Sequence, residues 1–113
     1  MKFEAEVISD ELLPAVRSLL SSELKDSYGM TQRDIAQRLE ITQPAVSQYL
    51  NDQRADQSVK NKLKDDPQIM ILVNEAAGKL AVDKDPTGEV SDILRAVRDK
   101  GLLKEKFRDA AKL

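Results

Sequence analysis

A chain of 113 residues with a net charge of −2, 41% hydrophobic and 34% charged residues has room for one modest core and little else. It contains no Cys and no His, which excludes disulfides, thiolate or imidazole metal sites, zinc fingers, histidine acid–base chemistry and cysteine nucleophiles. With four glycines and no phosphate loop, an enzyme would have only scattered carboxylates and lysines, so no catalytic, metal or cofactor site is expected. No basic start leads into an apolar run, and no apolar stretch approaches the ~18 residues that span a bilayer; a soluble, cytoplasmic protein is expected.

Taken in order, the elements read as helices, and the fold class expected is all-α. Leu12, Leu13, Val16, Leu19, Leu20 and Leu24 recur at amphipathic spacing and predict a helix over 10–27, which Pro14 either starts or kinks. Tyr28-Gly29 closes it. Thr31 followed by Asp34 has capping-box spacing and opens a second helix through Leu39, and Thr42 caps a third, with Pro44 in its first turn, ending near Asn51. Asp66-Pro67 starts a further helix whose wide stripe of Ile69, Leu72, Val73, Ala76, Ala77 and Leu80, broadened by Met70 and Ile71, is either buried centrally or shared with a second subunit. After a turn-rich 83–88, Val90, Ile93, Leu94 and Val97 mark a helix running to Gly101, and Leu103, Phe107, Ala110 and Ala111 a short last one. The expected division is 1–55, an N-terminal helix followed by the two short helices, and 56–113, a helical C-terminal dimerisation region or extension.

Segment 31–51 carries the functional signal. Ile35 and Leu39 give the second helix one apolar edge, Val46 and Leu50 give the third a matching one, and Ala36 between them is small enough for two short helices to cross closely. Ile41 plugs the turn from the side. Outward on the third helix remain Gln43, Ala45, Ser47 and Gln48, none of them negative, where a face meant only for water would carry Glu and Lys. Gln amides pair with base edges in the major groove, and a carboxylate there would meet phosphate repulsion.

Charge is distributed to match. Residues 1–30, 31–64 and 65–113 sum to −3, +2 and −1, so positive balance sits only where the motif does. The expected base-reading residues are Gln43, Pro44, Ser47 and Gln48. Gln32 at a helix N-terminus, Arg33, Thr42, Asn51, Arg54 and Lys60 are expected at phosphates, with Lys62 and Lys64 extending the track. Tyr49 reads as a packing residue.

In Gln32, Ile35-Ala36, Leu39, Ile41-Thr42, Val46-Ser47 and Tyr49-Leu50, this stretch resembles the helix-turn-helix of phage-repressor-type and related prokaryotic regulators. With the preceding E-L-L-P-A-V-R-S-L-L helix, about half of the chain resembles the N-terminal domain of archaeal helix-turn-helix regulators, some free-standing and some fused to thiamine-phosphate synthase domains. The resemblance implies a compact tri- or tetrahelical DNA-binding domain, acting as a homodimer on an approximately palindromic operator. Such regulators often carry C-terminal cysteines; this chain has none, so no metal or redox role carries over. A second departure is Glu40, at a turn position where Gly is common because the backbone there is often left-handed, at a cost of roughly 1 kcal/mol to a residue with a Cβ.

Two other readings compete. The same helices could serve as an antitoxin- or adaptor-like protein-interaction module without specific DNA binding, and an effector site is unadvertised. Asp83, Asp85, Thr87, Gly88, Val90 and Ser91 match a calcium loop through its ninth position, but Leu94 stands where the bidentate carboxylate belongs and Pro86 lies inside. A turn with a helix cap is expected there instead.

Overall fold

The computed structural model describes residues 2–111. Helix α1 (Glu4–Val7) runs without a break through a π turn (Ile8–Leu12) into α2 (Leu13–Asp26), so the first helix begins well before residue 10. Pro14, lacking an N–H, cannot serve the carbonyl four residues before it. Just ahead of it the helix widens to five-residue bonding, with the Leu13 N–H donating to the Ile8 carbonyl. This wider turn also serves the core. Positions five apart fall about 140° apart on a regular α-helix, yet Val7 and Leu12 are both buried, and five-residue bonding brings such a pair onto one face.

Gly29, at φ 63°, ends α2 as expected, and the N–H groups of Gly29 and Met30 cap the Lys25 and Leu24 carbonyls. Helix α3 (Gln32–Leu39) is capped by Thr31, whose Oγ1 accepts from the Asp34 N–H at 3.2 Å; α4 (Gln43–Leu50) is capped by Thr42 in the same way through Ala45. The next helix, α5 (Gln57–Lys64), was not foreseen. Its only buried apolar side chains are Val59 and Leu63, one turn apart among Gln, Ser, Lys and Asn, too few to show a period. The cap was legible: Asp56 Oδ1 accepts from the Ser58 and Val59 N–H groups.

Helix α6 (Pro67–Ala81) begins at Asp66-Pro67 as expected, α7 (Thr87–Asp99) follows the turn, and α8 (Lys104–Arg108) is shorter than expected. Ala110 and Ala111 lie beyond α8, and Ala111 instead pairs with Phe3 in an isolated parallel bridge. Before α7, Asp85 Oδ1 accepts from the Thr87 N–H and hydroxyl, the turn expected of that segment, while the N-cap residue itself, Pro86, makes no side-chain cap.

Helices α2 and α6 form the spine. Helix α2 packs against α3, α4, α5 and α6, and α6 against α7, α5 and α3. Ile69, Val73, Ala76, Ala77 and Leu80 are buried by the chain's own helices, while Ile71, expected to broaden the stripe, is 57% exposed. The fold is all-α, with one core running from Leu12 through Ile35, Val46, Val59 and Ile69 to Leu103. Position 55/56, where the two expected regions meet, lies between α4 and α5 within the span of that core.

Asp66 does double duty. One oxygen accepts from the Ile69 N–H at 3.1 Å, and both accept from Lys100 Nζ at 3.0 and 2.9 Å. The Lys100 ammonium, with the helix N–H groups, holds this carboxyl below the usual carboxylate range. A group depressed in the folded state contributes stability above its ordinary pKa near 4, and loses it as pH falls through the folded value. Asp66→Asn, which still caps but carries no charge, should lower the urea midpoint at about pH 7 and change it little well below the carboxylate range. An unchanged pH profile would contradict the assignment.

Candidate nucleic-acid interface

Helix α4 buries two of its faces. Val46 packs with Ile35 and Ala36 of α3 in the main core, helped by half-buried Leu39, Ile41 and Leu50. Ala45 and Tyr49, one turn apart, close a smaller cluster with Ala55. Ala45 is therefore a packing residue, 4% exposed, and not part of the outward face as expected. Its methyl meets the cluster because the chain after α4 folds back over that side. Tyr49 is buried, as expected of it.

What remains outward is Gln43, Pro44, Ser47, Gln48 and Asn51, of which Pro44, Ser47, Gln48 and Asn51 share the three-, four- and seven-residue spacing of one helical stripe. Asn51 Nδ2 donates to Ser47 Oγ at 3.4 Å, which leaves Ser47 half-buried. A shallow open hollow lined by Gln32, Gln43, Pro44 and Ser47 joins the N-terminal turns of α3 and α4. The structure thus brings together one expected phosphate residue and three expected base readers. Thr42 Oγ1 accepts from Ala45 N–H and keeps its own hydroxyl proton to donate. Arg33 is exposed at the first turn of α3.

Glu40 lies in the left-handed region, φ 55° and ψ 42°, as expected of this turn, and carries that strain at a position where a Gly would not. The Ile41 N–H reaches back to the Ala36 carbonyl at 3.1 Å and fixes the turn. Residues 22–61 match the helix-turn-helix family model, less than half of the 113-residue chain. The match supports a phage-repressor-like helix-turn-helix of the DNA-binding kind in this segment. The comparisons with curated proteins and with solved structures give no match. No helix among the described residues is long and apolar enough to cross a membrane.

Helices α3 and α4 are held by contacts that the sequence reading missed. Ser18 of α2, fully buried, donates to the Tyr49 carbonyl at 3.1 Å and ties the end of α4 to the core helix. A Ser inside the apolar stripe of α2 was the available signal. Arg38 donates to the Leu80 carbonyl at 3.2 Å and lies 3.5 Å from the Asp83 carboxylate, which fastens α3 to the end of α6.

Lys60 departs from its expected place. It is 9% exposed, and its ammonium sits 2.7 Å from Asp52 Oδ1. That hydrogen bond holds the Asp52 carboxyl below its ordinary range. Asp52, at φ 57° just past α4, puts a negative charge beside the candidate DNA-facing stripe. Lys60 on this geometry neutralises Asp52 within the protein rather than reaching a phosphate.

Proposed function

We propose that the protein is a sequence-specific DNA-binding transcriptional regulator of the archaeal helix-turn-helix type, acting as a homodimer, with α4 in the major groove. Gln43, Pro44, Ser47 and Gln48 meet base edges; Gln32, Arg33, Thr42 and Asn51, with Arg54 past the end of α4, meet the backbone. The observation that carries this reading is the outward stripe of α4, which is polar and free of carboxylates and shares one hollow with the positive N-terminal end of α3. Two such helices related by a two-fold axis would enter successive major grooves about 34 Å apart, so the operator is an approximate palindrome. Helices α6 to α8 extend the DNA-binding unit and supply the dimer contact.

The test is anisotropy titration of the full chain against the DNA flanking its own gene, with unrelated competitor and at several salt concentrations. Gln43→Ala should cost ~1–3 kcal/mol on the specific site and relax preference at one base pair per half-site. Binding that any competitor removes would overturn the sequence-reading proposal. Absence of binding would leave the helices as a protein-interaction module.

A further inference from the structure

We infer that Arg54 is a positioning residue that makes Gln48 present its amide donors outward and thereby favours guanine over adenine at the base pair Gln48 meets. The inference rests on the proposal that α4 lies in the major groove. Arg54 Nη1 donates to Gln48 Oε1 at 3.2 Å. A guanidinium has only donors, so whatever the rotation of the amide, its oxygen must face Arg54 and its NH2 must face away.

The pair is held from below. The Arg54 guanidinium lies over the Tyr49 ring, 5.5 Å from its centroid, and that ring is 3% exposed and immobilised in its cluster. The Tyr49 carbonyl is in turn bonded by buried Ser18. The loop that carries Arg54 is closed by the Gln53 N–H donating to the Gln48 carbonyl at 2.8 Å, with Asp52 in the left-handed region. Both partners of the Arg54–Gln48 bond are therefore anchored to α4 itself.

An isolated glutamine reads adenine by accepting from N6 and donating to N7. Here one of the two lone pairs of the oxygen that would accept from N6 is taken by Arg54, which turns that oxygen toward the guanidinium, and adenine's amino group would have to reach the other beside further guanidinium donors. Guanine offers N7 and O6, both acceptors, to the same edge. The combined Gln48–Arg54 tip presents N–H groups to both. This is a base-selecting role, separate from any contact Arg54 makes with a phosphate.

The test is selection of bound duplexes from a randomised DNA library by the full chain and by Gln48→Ala, Arg54→Ala and Arg54→Lys variants, each checked for helix content by circular dichroism. The full chain should enrich guanine at one position per half-site that Gln48→Ala leaves unselected. Arg54→Ala should move that position toward adenine, with a change of about five-fold or more in the guanine-to-adenine ratio. Arg54→Lys, which keeps the charge but not the planar fork, should give an intermediate ratio. A uniform loss of recovery with the ratio unchanged would reduce Arg54 to a phosphate contact and overturn the inference, as would adenine at that position in the unmodified protein. Enrichment of no sequence by any form would instead overturn the DNA-reading proposal itself, and this inference with it.

Discussion

Ile69→Ala should cost the protein about 3–4 kcal/mol, a large share of the ~5–15 kcal/mol that holds a domain of this size together. Ile69 is fully buried near the start of α6, and its N–H is fixed by the Asp66 cap, so neither the backbone nor its neighbours are free to close the gap. The loss combines the transfer free energy of the missing carbons with an unfilled cavity. Because the core runs through Leu12, Val46, Val59 and Ile69 to Leu103, the destabilisation should reach the helix-turn-helix as well. Urea unfolding followed by circular dichroism and by DNA anisotropy should give one coincident transition, shifted to lower urea. Two separated transitions, with α3 and α4 surviving the first, would show that the halves fold independently.

Ala36→Leu should remove specific DNA binding and weaken the fold by about 2–3 kcal/mol. Ala36 is 8% exposed where α3 faces α4, and its carbonyl accepts from Ile41 N–H in the turn. Three added carbons have no space there without moving α4 away from α3. A shifted α4 would still offer Gln43, Ser47 and Gln48, but no longer in the geometry the groove requires. Affinity should fall toward the non-specific level, a loss on the order of a thousand-fold. Retention of specific binding with only a stability loss would mean that the two helices tolerate separation.

The sequence made the helix-turn-helix legible because each of its positions answers to a local rule. Thr31 and Thr42 are caps, Ile35 and Val46 facing edges, Ala36 a close crossing, and Glu40 a strained turn residue, and each can be read within one turn of helix. Helix α5 was hidden because Val59 and Leu63 gain their meaning from packing with other helices, α2 among them, which lies more than thirty residues earlier in the chain. Ala45 looked outward on the wheel of α4 and is buried in a cluster with Tyr49 and Ala55, a contact made by the loop after the helix that the wheel alone does not show. Lys60 looked like surface charge for the same reason: its partner Asp52 is eight residues away, across a loop. The π turn depends jointly on Pro14 and on the burial of both Val7 and Leu12, and periodicity at a fixed 3.6 residues could not show it.

Lys60 on Asp52 and Arg38 on the end of α6 leave four of the six cations of segment 31–64 without an acidic partner among the described residues: Arg33, Arg54, Lys62 and Lys64. A duplex releases condensed counterions only where such a cation meets a phosphate, so in the proposed binding mode this segment should release about four per copy of the chain, each contributing near −0.9 to the slope of log affinity against log salt. The balance of the binding must then come from uncharged hydrogen bonds and helix N-termini, which added salt displaces far less. On a body of net charge −2 that arrangement should keep indiscriminate attraction to DNA low, and in the proposed binding mode it leaves the choice of sequence to the amides of α4.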